Sequence, residues 1–198
     1  MKLLKGTSLA ITMVICLSCK TVTTGTNFVR PADDSLILGK TTIQEIRQKL
    51  GNPHKEKPST VNNENLINFL YSYTGGTPNL YGKILGRTIV FSFYNDVLIS
   101  YLFMSSFNED NTDFNETKLN QIKKGQTKEE EVIDILGKPS GISIYPIAGK
   151  DRKLLKYVYN EYKGLMLFRK LYSKDVIISL DQNGIVTNFN FSSDWNNK

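Results

Sequence analysis

A chain of 198 residues, 40% hydrophobic and 22% charged, holds enough apolar material for a packed core and is too apolar for wholesale disorder. Its formal charge of +6 is mild; a single histidine, His54, excludes a histidine-rich metal site, and two cysteines exclude a thiol zinc cluster. Ten Tyr and ten Phe against one Trp favour sheet over long helical bundles.

The chain opens with Lys2 and Lys5 before an apolar run from about Leu9 to Leu17, far shorter than the ~20 residues of a spanning helix, so it reads as an export signal. Ser18-Cys19 resembles the lipobox of bacterial lipoproteins, which implies cleavage before Cys19 and a diacylglyceryl group on its thiol. Cys16 stands where leucine is usual, which leaves a plain secretory signal or an uncleaved anchor as alternatives. Lipidation accounts for the cysteine count, since a chain starting at Cys19 has no second thiol. Residues 1–18 are thus read as signal peptide. Residues 19–35, rich in Thr, Asn and Asp with Pro31 and no apolar period, are read as a flexible tether.

A repeat organises the remainder. Gly39, Thr41, Glu45, Leu50, Gly51 and Pro53 recur 86 residues on as Gly125, Thr127, Glu131, Leu136, Gly137 and Pro139. Thr41 with Gln44, and Thr127 with Glu130, fit a helix capping box. Ile43, Ile46 and Leu50 share one helical face, as do Val132, Ile133 and Leu136. Gly51 and Gly137 fall where a helix end takes a positive φ, and Pro53 and Pro139 block continuation. Short turns at 35–38 and 116–123 are expected as a first helix in each unit. Alternation then predicts strands at 68–73, 89–94 and 98–104, and again at 156–162, 176–180 and 185–191. The expected fold is α+β: two tandem units, 36–106 and 117–194, each of two short helices followed by a three-stranded antiparallel β-meander. The acidic segment 107–116 joins them as a linker.

These residues resemble the SmpA/OmlA (BamE-like) family of small outer-membrane lipoproteins. The second unit carries the match: Gly125-Gln-Thr127 with Val132, Leu136, Gly137 and Pro139, then Lys156-Tyr-Val-Tyr159, Val176–Leu180 and Asn183-Gly184. Family members usually carry one such unit. Two in tandem are similar in architecture to the beta-lactamase inhibitor proteins, whose paired units form a concave sheet surface that grips an enzyme. The resemblance implies a lipid-anchored protein of the outer membrane of a Gram-negative bacterium, facing the periplasm. It implies envelope proteins as partners and no cofactor beyond the lipid on Cys19.

No catalytic constellation stands out, and no metal site. His54 follows Gly-Asn-Pro at a helix exit and has no recognisable triad partner. Glu45 and Glu131 lie in first helical turns, where the dipole favours negative charge. The stretch 75–86 has several glycines but lacks the Gly-Lys-Ser/Thr ending of a phosphate loop. Nucleic acid is not expected, since the basic residues are dispersed. The candidate partner-binding residues are Leu80, Tyr81, Ile84, Leu85 and Arg87 in the first unit and Leu165, Met166, Leu167, Phe168, Arg169 and Lys170 in the second. There apolar side chains flanked by positive charge suit a protein surface; alternatively they extend the strands and pack between the units. Gly39, Thr41, Gly51, Pro53, Gly125, Thr127, Gly137 and Pro139 are expected to be scaffold residues. The functional expectation is a lipid-anchored binding or scaffold protein of the cell envelope, an accessory in outer-membrane protein assembly or envelope integrity; the alternative is an inhibitor-like protein clamping a periplasmic or surface enzyme.

Overall fold

The computed structural model describes residues 23–76, 85–150, 152–163 and 170–197. In chain order these form β1 (Thr24–Gly25), a 3₁₀ turn (Asp33–Ser35), α1 (Ile43–Leu50), β2 (Lys55–Val61), β3 (Glu64–Gly75), β4 (Leu85–Tyr94) and β5 (Val97–Ser105). A second 3₁₀ turn (Glu116–Gln121), α2 (Glu129–Leu136), β6 (Gly141–Ser143), β7 (Lys153–Lys163), β8 (Lys170–Leu180) and β9 (Val186–Asn197) follow. All strands join one antiparallel sheet in the order β1-β3-β4-β5-β6-β7-β8-β9, with β2 beside β1 on the outer side of β3.

This overturns the expected α+β fold of two tandem units, each of two helices and a three-stranded meander. Of the described residues 49% are strand and 16% helix, and each stretch expected as a first helix offers only a short 3₁₀ turn at or near its place. Three strands are not visible in the sequence for physical reasons: β1 is only two residues long. β2 is Lys-Glu-Lys-Pro-Ser-Thr-Val, an edge strand whose exposed faces need no apolar alternation, and it turns into β3 through Asn62 and Asn63 at φ 52° and 64°. β6 is three residues long, too short to show a period. Yet β6 is the seam: Ser100, Tyr101 and Leu102 of β5 pair with Ser143, Ile142 and Gly141, which pair in turn with Leu154, Leu155 and Lys156 of β7.

Two core clusters lie on one face of the sheet. Ile43 and Ile46 of α1 cover Phe69, Tyr71, Phe91, Phe93 and Phe103, while Val132 and Leu136 of α2 cover Leu155, Tyr157, Val176, Ile178 and Leu180. Ile142 of the seam packs against both.

The repeat is written in hydrogen bonds. Gly39 N–H donates to Leu98 O (2.8 Å) and Gly125 N–H to Val186 O (2.7 Å). The Tyr71 hydroxyl donates to Gly51 O (2.8 Å) and the Tyr157 hydroxyl to Gly137 O (3.0 Å), so a strand tyrosine pins each helix exit. Gly51 and Gly137 have φ of 76° and 84° with ψ of −162° and −170°, a region open only to glycine.

The caps fall one residue later than expected. Thr42 is the N-cap of α1 and shares a capping box with Glu45, whose carboxylate accepts from Thr42 N–H at 2.7 Å. Thr41 Oγ1 instead accepts from Ile37 N–H (2.9 Å), and Thr127 Oγ1 from Lys123 N–H (2.8 Å). Both threonines are buried, closing the turn before the helix. In α2 the cap position is Lys128, which has no acceptor; only the return bond survives, from Lys128 N–H to Glu131 at 2.7 Å.

Two other segments are more engaged than their composition suggests. The described part of the expected tether is docked: β1 pairs with Thr74 and Tyr73, Phe28 packs edge-on against Phe103, and Arg30 stacks on Phe103 while donating to Pro139 O at 2.6 Å. The 107–116 linker is clamped by two buried cations. Arg87 pairs with Glu109 (2.8 Å) and Asp110 (3.5 Å), donates to Phe28 O and lies over the Phe107 ring. Lys174 pairs with Asp113 (2.7 Å) and Glu116 (2.6 Å), donates to Phe114 O and lies over Phe114 and Tyr159.

Candidate functional site

The helices and the docked N-terminal segment pack on the core-bearing face. Strand alternation directs the remaining side chains to the opposite face, which no described helix crosses. Register aligns Leu70, Val90, Leu102, Gly141, Lys156 and Ile177 into one row across β3 to β8. Leu70, Val90, Leu102 and Lys156 are half-buried, and Ile177 is 38% exposed. Gly141 has no side chain to stand between Leu102 and Lys156, and one placed there would collide with the Tyr101 carbonyl.

The flanking row is small and polar. Asn68, Ser92, Ser100 and Ser143 align, with Ser92 Oγ bonded to Asn68 Oδ1 (2.7 Å) and the Ser100 and Ser143 hydroxyls 2.6 Å apart. On the other side lie Val158 and Asp175. At one end Glu64 accepts from the Tyr94 and Tyr145 hydroxyls, both at 2.9 Å, tying the loop after β6 to the β2–β3 hairpin. Those bonds to a carboxylate, with burial, raise both tyrosine pKa values. The middle of the face is thus an apolar row with one amine in it, rimmed by polar groups that already satisfy one another. Ser92, Ser100 and Ser143 are buried, as is Leu66 on the same face, so the chain itself covers this border and the half-exposed apolar row beside it is the part left for a partner.

The core-bearing side carries a cleft of about 550 Å³ lined by Leu36, Leu38, Tyr101, Pro139, Ile142 and Ile144, with Lys138 and Lys153. Lys153 is held by Glu129 at 2.5 Å. Among the described residues no three His, Cys, Asp or Glu side chains come together to hold a metal ion.

Of the loop residues expected to meet a partner, Leu80, Tyr81, Ile84, Leu165, Met166, Leu167, Phe168 and Arg169 lie outside the described residues, as does Cys19. Leu85 opens β4, half-buried and opposite Gly75; Lys170 opens β8, exposed and opposite Lys163. Arg87 is not a surface charge: it is 5% exposed and its two terminal nitrogens are taken up by Phe28 O, Glu109 and Asp110, while its Nε has no hydrogen-bond partner. His54 is exposed, as expected of a loop histidine, but its Nδ1 accepts from Ser72 N–H at 2.9 Å and so fills the gap between β1 and β2 along β3. The row through Lys156 escaped the sequence reading because its members sit on six different strands; a lysine between Leu155 and Tyr157 is the one local sign of it.

No protein-family model matches the chain, and no curated protein matches it significantly. The resemblance to the SmpA/OmlA family therefore gains no support. Among solved structures the chain is similar to a candidate beta-lactamase inhibitor protein from Streptococcus mutans, at 16% identity and a TM-score of 0.43, over 77% of this chain and 82% of that one.

Proposed function

We propose that this chain is a protein-binding module whose open sheet face docks a partner protein. One observation carries the reading: a half-exposed apolar row crosses six strands with no described helix over it, while the other face has its helices. Burying such a row against a partner contributes roughly 25 cal/mol per Å² of apolar area. The reading also takes in the export signal and the lipid on Cys19, which would hold the module at the cell envelope. It has two forms, an envelope scaffold and an inhibitor that clamps an enzyme, and the partner's identity separates them.

The test places a photo-crosslinking residue at Val90 or Ile177, and as a control at the solvent-facing Glu130 of α2, in the full-length protein within the cells that make it. One discrete partner captured from both sheet positions and not from Glu130 supports docking. Equal capture from all three, or none from the sheet, refutes it. Labelling with a palmitate analogue, lost in Cys19→Ser, tests the anchor.

A further inference from the structure

This inference rests on the docking reading and names the chemistry of the partner. Leu155 and Tyr157 are both at most 1% exposed in the core, so the intervening Lys156 is turned to the open face. Its neighbours there are Ile177 across the ladder, Leu154 and Val158 along its own strand, and Gly141 then Leu102 on the other side. Among the described residues no ion pair or hydrogen bond engages its ammonium, and Asp175, in the next row, is not paired with it. Burial alone pulls its pKa below that of an ordinary lysine, so the site shelters a charge without compensating it.

The molecule treats its other sheltered cations differently. Arg87 and Lys174, the buried cations among the described residues, each have two carboxylates, a backbone carbonyl and an aromatic ring. Lys156 has none of these. An amine left unpaired at the centre of an apolar face is what a partner's charge completes.

We propose that Lys156 receives an Asp or Glu carboxylate from the docked protein, presented on a segment whose apolar side chains cover Val90, Leu102 and Ile177. A membrane surface or a nucleic acid backbone would call for several cations close together. Lys55 and Lys57, which share this face, pair with β3 at its far edge, five strands from Lys156, or roughly 24 Å at ~4.8 Å per strand. A single point charge in apolar surroundings matches a single carboxylate.

The test uses the full-length protein in its own cells, with the photo-crosslinker at Ile177 reporting docking and a carbodiimide reporting the carboxylate. Carbodiimide joins an amine to a carboxyl group with no spacer, so mass spectrometry should find Lys156 linked to an Asp or Glu of the same protein that Ile177 captures. Lys156→Met should weaken capture about tenfold or more, as expected for loss of a charge-assisted hydrogen bond, and Lys156→Arg should retain most of it. Melting curves show whether Lys156→Met folds; the carbodiimide linkage is read on the unaltered protein and does not depend on that. If Ile177 captures a partner but no linkage forms at Lys156, the carboxylate is refuted while docking stands. If capture fails from every sheet position, the docking reading falls and the carboxylate with it.

Discussion

Around Phe69, Phe91, Phe93 and Phe103 the first half of the sheet buries aromatic rings, with Phe69 and Phe93 centred 5.0 Å apart. The second half buries mostly aliphatic side chains, Leu155, Val176, Ile178, Leu180 and Val186, beside the rings of Phe114 and Tyr157. Arg87 in the first half and Lys174 in the second stand at matching strand positions, both buried and both clamping the acidic connection between the halves. Thr42 caps one helix and Lys128 stands uncapping at the start of the other. What the halves keep is a frame of bonds at the two helix exits and hairpins; what they exchange is the filling. The frame needs glycine, threonine and tyrosine at fixed places, because positive φ and side-chain-to-backbone bonds admit few substitutes. The filling needs only apolar volume or positive charge, which several residues supply.

The most damaging test of that equivalence is to remove each cation. Arg87→Met and Lys174→Met each strand two carboxylates, a loss of about 3–5 kcal/mol where the pair is buried and less where it is wet. Asp110 beside Arg87 is 13% exposed and also receives Ser105 Oγ, whereas Asp113 and Glu116 beside Lys174 are 52% and 37% exposed. Denaturant melts should therefore show the larger loss for Arg87→Met; equal losses would mean that burial of the acid partner does not set the cost.

Next in size are the helix exits. Gly51→Val and Gly137→Val should each cost about 1–3 kcal/mol through backbone strain alone, since a side chain at either position meets nothing within 4 Å. The same melts should give the two variants equal midpoints, and a clear inequality would break the claim that the frame is shared. The caps should differ instead. Thr42→Ala should lose about 1 kcal/mol, while Lys128→Thr, which installs the missing acceptor, should gain up to about the same.

The smallest effect is absent at neutral pH. Desolvation acts to lower the Lys174 pKa, but hydrogen bonds and charge from Asp113 and Glu116 outweigh it and hold the pKa above 10.5. A raised pKa on a cation means its stabilisation is complete below the unfolded value and is lost as pH rises through the folded one. Lys174→Arg should match the parent protein at pH 7 and melt higher only above about pH 10.5, because arginine keeps its charge there. Tyr157, raised chiefly by burial, weakens both proteins alike in that range, whereas Tyr159 lies under the Lys174 ammonium and its share belongs to the same effect.

The frame was the legible part of the sequence. Gly51 and Gly137 announce themselves because few contexts place glycine before x-Pro at a fixed interval, and the six alternating strands all exist, longer than expected. Thr41 and Thr42 stand side by side and either can cap, so the repeat points one residue ahead of the true N-cap. The joined sheet was hidden, since the pairing of Ser100 with Ser143 spans 43 residues and leaves no local period. Arg87 looked like a surface charge because its partners, Glu109, Asp110 and Phe107, lie some twenty residues away in a stretch that reads as a polar linker. Lys156 could be placed on the strand but not weighed, for its isolation depends on what five other strands put beside it.

The three-residue β6 has a consequence for the order in which the molecule assembles. The ladders β2–β3, β3–β4, β4–β5, β7–β8 and β8–β9 each close between chain neighbours, so each half can zip up through short-range contacts. The seam offers three residue pairs on either side and must close a far longer loop to β5. Its reward per closure is small until Ile142 has both clusters to lie against. Folding should therefore run as two early nuclei and one late junction. The row through Lys156 crosses that junction, so it is complete only after the last step.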